Sequence, residues 1–349
     1  MEMQMNHATA CCHLCRSLLG WRALSCVLLG LLAGCEQPRA AAQNSMLSID
    51  QCGSAYSYER VPQRAISHDS NITEMLLFLG LRDRLVGYSG FSAEKGTNAT
   101  VLEMLKPVAN LSTLNLNFET ILGTQADIVV AGWGYGFREG KMTPKLLKEY
   151  GIDSYVITES CVRVGAQKSI SLQDTLLDLR NLARIFDVES ATHTRISQLE
   201  SARADLAGQT TPLKNRPRVF VYDSGTKVPL TSGVFATPQA IVELAGGRNI
   251  FEDIQSSWVH ASWEAVVERN PEWIVIIDYR TPNAQGKIDF LLQKAGLEDV
   301  EAIRKKQFLV IPYAEATPSP YNIMQAQRLA KALHPQLDIK IQDPMSLLQ

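Results

Sequence analysis

FETILGTQADIVVAG, from Phe118 to Gly132, and WEAVVERNPEWIVII, from Trp263 to Ile277, follow one pattern. Each opens with an aromatic residue and a glutamate. An apolar pair follows one residue later, an acidic residue stands eight places after the glutamate, and an apolar strand follows. Glu119 and Asp127 therefore match Glu264 and Glu272. Helix followed by strand is a generic pattern, but its occurrence once in each half of the chain favours a duplicated architecture.

Further strands are predicted at Arg64 to His68, Leu85 to Tyr88, Ile128 to Ala131, Tyr155 to Thr158, Val219 to Tyr222, Trp273 to Asp278 and Leu309 to Pro312. Helical patterns separate them, which argues for parallel sheets. Ahead of Met75, Leu76, Phe78 and Leu79, the spacing Asn71-x-x-Glu74 predicts a capping box, with Gly80 placed to end the helix. Leu172, Leu176, Leu179, Ala183 and Phe186 then keep helical spacing. After a break at Asp187, Ile196, Leu199, Ala202 and Leu206 share one helical face, and no strand fits there. The expected fold is α/β: two lobes with mainly parallel sheets, joined by a single long backbone helix.

The amino terminus sets the compartment. Arg16 and Arg22 precede an apolar stretch, Ala23 to Ala33, of secretory-signal length. It ends Leu32-Ala33-Gly34-Cys35, which resembles a bacterial lipobox, so Cys35 is expected to become the lipidated first residue of the mature chain. Ordinary signal cleavage near Ala40 to Ala42 is the alternative; either way the chain is exported, to the periplasm or cell surface. Of seven cysteines, Cys11, Cys12, Cys15 and Cys26 leave with the signal, which makes the CCHLC run a decoy for a metal knuckle. Cys52 and Cys161 remain, and an oxidising compartment favours a disulfide over two reactive thiols. Residues 1–34 are thus read as the signal peptide, 35–61 as the lipidated tether and N-terminal segment, 62–187 as the first lobe, 188–209 as the connecting helix and 210–349 as the second lobe.

Without residues 1–34 the chain carries 32 basic and 35 acidic side chains, which is no nucleic-acid footprint. The glycines of DIVVAGWGYGFREG, Asp127 to Gly140, raise the question of a phosphate loop. A dinucleotide fingerprint needs glycine at its first, third and sixth positions; Gly132 and Gly134 fit, but the sixth position is Phe137, and no Gly-Lys-Ser/Thr follows. What remains is a turn at the carboxyl end of a strand, the edge where open α/β sheets hold ligands. Phe137 is expected to pack beneath the loop. Trp133, Tyr135 and Arg138 are candidates for ligand contact, since aromatic faces and a cation suit a large planar or chelated ligand. His68, Tyr88, Tyr279, Arg280 and Tyr313 hold similar strand-end positions, with Trp258 on a loop.

No Gly-x-Ser-x-Gly elbow or His-Glu-x-x-His helix occurs. His68, His193, His260 and His334 lie far apart without ligand spacing, so neither a catalytic centre nor a resident metal or cofactor is expected.

PQRAISHDSNITEMLLFLGLRDRLVGYSG, from Pro62, resembles the opening of the periplasmic substrate-binding proteins of ABC importers for iron-siderophore complexes and cobalamin, the helical-backbone class III type. SGVFATPQAIVELAGGRNIFEDIQSSWVHASWEAVVERNPEWIVIID is similar to the start of their second lobe, and the likeness runs from Pro62 to Pro335. The resemblance implies a monomer of two lobes joined by a rigid helix, with ligand in the cleft and little lobe closure. It implies further that one surface glutamate per lobe, Glu119 and Glu264, docks on arginines of a permease dimer driven by its ATPase. As first-turn residues both also suit the helix dipole. Ferric siderophore is the leading cargo, with corrinoid, haem or another chelate open. An exported α/β enzyme, a lipoprotein adaptor without a small ligand, and a zinc or manganese binder are the rivals.

Overall fold

The structure, a computed structural model, describes residues 46–91, 95, 99–166 and 169–348. The expected signal segment, Cys35 and most of the tether lie outside the described residues. The chain opens with an antiparallel hairpin, β1 (Leu47–Gln51) and β2 (Ser54–Tyr58). It stands where the sequence predicts a tether and N-terminal segment. Buried polar contacts hold it on the first lobe: Tyr58 donates to the Ser154 carbonyl at 2.8 Å, and the Gln51 side chain accepts from the Val156 amide at 2.9 Å. At its turn, Cys52 is disulfide-bonded to Cys161 across 109 residues, the pairing expected of the two remaining cysteines.

The first lobe contains β3 (Ala65–His68), β4 (Leu85–Ser89), β5 (Asn110–Ser112), β6 (Ile128–Trp133), the short β7 (Gly136–Phe137) and β8 (Asp153–Val156). They pair in parallel in the order β5-β4-β3-β6, with β7 and β8 both on β6. Its helices are α1 (Ser70–Phe78), α2 (Ala99–Leu105), α3 (Phe118–Thr124), α4 (Pro144–Glu149) and α5 (Leu172–Ile185). The strand predicted at Tyr155 to Thr158 starts two residues earlier and gives way at Thr158 to a 3-10 segment, Thr158–Val164, that carries Cys161.

The predicted capping box on α1 is absent. Asp69, not Ser70 or Asn71, caps this helix: its side chain accepts from the Ser70 amide. Asn71 instead donates across the lobes to the Pro318 carbonyl at 2.8 Å, and Glu74 is buried. The helix does stop at Gly80 (φ 76°): the Leu81 amide bonds Leu76 and the Gly80 amide bonds Leu77, closing the end with a left-handed residue.

The connecting helix α6 (Glu189–Thr210) buries Ile196, Leu199, Ala202 and Leu206, the face that the sequence singled out. Beyond it the second lobe sets β9 (Arg218–Tyr222), β11 (Arg248–Asn249), β13 (Trp273–Asp278) and β14 (Phe308–Pro312) in the parallel order β11-β9-β13-β14, while β10 (Leu230–Ser232) and β12 (Trp258–His260) form an antiparallel pair. Helices α7 (Thr237–Leu244), α8 (Trp263–Arg269), α9 (Ala284–Gln293), α10 (Glu301–Arg304) and α11 (Asn322–Leu333) complete it.

The internal repeat has a physical basis. Helix α3 starts with the Asn117 side chain on the Thr120 amide (2.7 Å) and ends at the left-handed Gln125 (φ 56°). Helix α8 starts with Ser262 on the Ala265 amide (3.1 Å) and ends at the left-handed Asn270 (φ 40°). Asp127 then accepts from the amides of Gln63 and Arg64 at 2.8 and 2.9 Å, and Glu272 accepts from the Arg218 amide at 2.9 Å. Each acid secures the entry of its lobe's first central strand, β3 or β9. Arg64 and Arg218 reciprocate by donating to the cap carbonyls of Gln125 and Asn270.

Opening the 109-residue disulfide loop releases chain entropy worth about 4.7 kcal/mol in the loop-closure account. The double variant Cys52→Ala/Cys161→Ala is therefore expected to lose stability of that order in urea melts. A midpoint equal to that of the oxidised wild type would contradict the assignment.

Candidate functional site

A cavity of about 260 Å³ opens between the lobes at the carboxyl ends of the central strands. Four of its lining residues immediately follow strands: Asp69 after β3, Asp223 after β9, Tyr279 after β13 and Tyr313 after β14. In open α/β sheets that edge is where ligands sit. A larger groove of about 570 Å³ runs along α6 beside Gln198, Asp205, Gln209 and Gln342, but it lies away from the strand ends and has no aromatic face.

The cavity is built from three tyrosine and carboxylate pairs. Tyr313 donates to Asp69 at 3.0 Å, Tyr279 to Asp223 at 2.6 Å and Tyr135 to Glu159 at 3.0 Å. All three carboxylates are more than nine-tenths buried. Each has a cation near it. Lys95 bonds Asp69 at 2.6 Å and lies 4.7 Å above the Tyr313 ring. Lys287 and Arg280, 4.4 and 5.2 Å from the Tyr279 ring centre, supply positive charge to Asp223, and Arg163 does so for Glu159. The rings of Tyr279 and Tyr313 are 5.1 Å apart and form one aromatic wall, with Trp258 also on the lining.

Burial, and then the adjoining carboxylate, pushes the phenols of Tyr135, Tyr279 and Tyr313 well up, so all three keep their protons. Burial raises Asp223, countered by the Tyr279 hydrogen bond. Burial also raises Glu159 to about 6, against the opposing pull of Tyr135 and Arg163.

Backbone strain marks the same place. Asp69 holds φ 84° and ψ 152°, a region almost restricted to glycine, and Arg280 holds φ 63°. Asp69 is secured there by its amide on the Ser89 carbonyl (2.9 Å) and its side chain on the Ser70 amide (2.7 Å).

The glycine-rich loop is not a phosphate cradle. A Cβ on Gly132 would meet the Tyr135 ring at 2.2 Å, and one on Gly134 would meet Arg163 at 2.8 Å. These glycines let an aromatic ring and a guanidinium lie directly on the backbone. Phe137 is fully buried, as its apolar setting predicts.

Of the nine ligand candidates read from sequence, Tyr135, Trp258, Tyr279, Arg280 and Tyr313 line this cavity. The other four lie elsewhere. His68 is buried, bonds Ser89 through Nδ1 at 2.8 Å, and burial lowers it to about 4, leaving it neutral. Tyr88 packs edge-on against Phe91, and Trp133 packs against Phe137. Arg138 lines a separate groove with Asn117, Phe118 and Glu119. Sequence reasoning missed Asp69, Lys95, Glu159, Arg163 and Asp223. The two aspartates did carry a signal: each stands five residues after its repeat arginine, Arg64 or Arg218. Glu119 and Glu264 are exposed in the first turns of α3 and α8. Among the described residues, no group of three or more His, Cys, Asp or Glu side chains is placed to hold a metal ion.

A family described as periplasmic binding protein matches residues 66–314. An ABC transporter substrate-binding lipoprotein of Bacillus subtilis, itself uncharacterised, is 23% identical over 332 residues, covering 90% of this chain and 96% of that protein. The vitamin B12-binding protein of Pectobacterium atrosepticum is 29% identical over 233 residues, covering 64% of this chain and 74% of that one. A solved periplasmic binding protein from Veillonella parvula superposes with a TM-score of 0.72 at 24% identity, covering 83% of this chain and 98% of its own.

Because the Glu159 carboxyl titrates near 6 when folded and 4.5 when free, its protonated form favours folding below 4.5, and that contribution is lost as pH rises through 6. The difference is about 2 kcal/mol. Glu159→Gln, a permanent mimic of the protonated form, should therefore gain about that much relative to wild type between pH 4 and pH 7 in urea melts. Parallel pH profiles of the two proteins would contradict the shift.

Proposed function

The chain belongs to the periplasmic binding protein family, and from that premise we propose that it is the substrate-binding lipoprotein of an ABC importer for metal chelates of the ferric siderophore and corrinoid class. It binds and hands over its cargo rather than transforming it. The observation that carries this reading is the cavity between the lobes, where Tyr135, Tyr279, Tyr313 and Trp258 offer aromatic faces among balanced charges. Such a lining suits a large, partly apolar chelate. At about 260 Å³ the cavity would seat one edge of it. The ferric siderophore reading follows from the sequence resemblance; the corrinoid reading gains support from the B12-binding relative.

Delivery would use Glu119 and Glu264, whose exposed carboxylates are free of any described ion pair and available to arginines of a permease dimer powered by its ATPase. Cys35 would anchor the exported protein to the membrane by lipid, in keeping with the lipoprotein name of the Bacillus relative. Among the described residues no helix is long and apolar enough to cross a membrane.

Tryptophan fluorescence of the body from Asn44 onward tests capture. Ferric siderophores, cobalamin, cobinamide and haem are titrated in turn, and one of them should quench saturably at micromolar or lower concentration, reported by Trp258 in the cleft. Silence across the panel would remove the chelate reading. In cells, Glu119→Ala/Glu264→Ala should abolish uptake and leave affinity unchanged; a loss of affinity would move these residues from docking to binding.

A further inference from the structure

Resting on the chelate-binding reading above, we infer that the cavity selects an uncharged, hydrogen-bond-donating edge of its ligand, of carboxamide type, and discriminates against polyanionic chelates. A tyrosine hydroxyl has one proton to give and two lone pairs to offer. Tyr135, Tyr279 and Tyr313 each commit that proton to a buried carboxylate, Glu159, Asp223 and Asp69, at 3.0, 2.6 and 3.0 Å. Ionised carboxylates can only accept, so the direction of these bonds is set. What the three hydroxyls have left for a ligand is acceptor capacity.

The charges lead to the same chemistry. The lining holds three acids, Asp69, Glu159 and Asp223, and three bases, Lys95, Arg163 and Arg280. Lys95 is already engaged by Asp69 at 2.6 Å, and the guanidinium of Arg280 lies over the Tyr279 ring. Lys287, the further cation near Asp223, is buried outside the lining and donates to the Ile277 carbonyl, so among the described residues the lining itself carries no surplus cation. A polyanionic ligand would approach three buried carboxylates with only the single excess charge of buried Lys287 to offset it, and a bare cation would find each carboxylate already hydrogen-bonded by a tyrosine. A carboxamide brings two N–H donors and one acceptor without charge, which meets phenolic oxygens and the remaining donors of Lys95 and Arg163.

The arrangement is also duplicated. Asp69 and Asp223 occupy the same position of the repeat, one residue beyond β3 and β9, and both take their tyrosine from the second lobe. Two matched acceptor stations thus face the cleft, suited to a ligand fringed with several such groups.

Three probes on the oxidised body test this: cyanocobalamin, neutral and fringed with carboxamides; a ferric tris-hydroxamate; and a ferric tris-catecholate, which carries three negative charges and exposes oxygen acceptors. The expected order of affinity is cyanocobalamin first, with the tris-catecholate at least 100-fold weaker. Asp223→Ala removes one negative charge and, leaving no side-chain acceptor, releases the Tyr279 hydroxyl, so it should weaken cyanocobalamin and strengthen the tris-catecholate at least tenfold. A gain of binding cannot come from misfolding, and circular dichroism checks the fold. Equal or tighter binding of the tris-catecholate by wild type would overturn this inference and leave the chelate-binding reading standing. If none of the three binds, the chelate reading falls, and this one with it.

Discussion

One apolar core runs beneath both lobes. The buried face of α6, Ile196, Leu199, Ala202 and Leu206, belongs to the same cluster as Ile72 and Phe78 of α1, Leu176 and Leu179 of α5, Val219 and Val221 of β9, and Ile323 and Leu329 of α11. Swinging one lobe on the other would expose part of that surface at about 25 cal/mol per Å². The polar contacts across the cleft add to this: Asn71 holds the Pro318 carbonyl, and Thr175 bonds Asn322 at 3.1 Å. These contacts oppose a large rearrangement of the cleft, since moving the lobes apart would break them.

That rigidity allows strain to persist at the site. Asp69 and Arg280 hold positive φ angles that an isolated strand end would relax. The structure around Asp69 over-determines it through the Ser89 carbonyl, the Ser70 amide, Lys95 and Tyr313. Buried carboxylates are tolerable there for the same reason, since each meets a tyrosine proton and has a cation nearby. A loosely joined pair of lobes could not keep Tyr313 of one on Asp69 of the other.

Much of this was legible from periodicity and spacing. Helix α6 buries the very residues that helical spacing set on one face, and the repeat around Glu119 and Glu264 marks equivalent helix starts in the two lobes. The misreadings have physical causes. Asn71 and Glu74 have capping-box spacing, but the helix starts at Ser70 and Asp69 takes the cap by accepting from its amide at 2.7 Å, while the Asn71 side chain donates to the Pro318 carbonyl in the other lobe. His68 sits at a strand end like the lining residues, yet it faces the packed interior beside Gly90 and Gly136. Strand-end position gives the correct edge of the sheet and says nothing of which way a side chain turns.

The sequence by itself determined the α/β class, the connecting helix and the helix-then-strand repeat of the two lobes, because each depends on spacing along one segment; counting favoured a disulfide between Cys52 and Cys161, and the structure supplied the pairing. Only the tertiary structure decided the chemistry of the cleft. Tyr313 and Asp69 are 244 residues apart, and Tyr279 and Asp223 are 56 apart. No local pattern links them. Their bonds exist because two sheets, joined across one continuous core, bring their carboxyl edges together, and burial there makes each unpaired charge or hydroxyl costly enough that the pairing is obligatory.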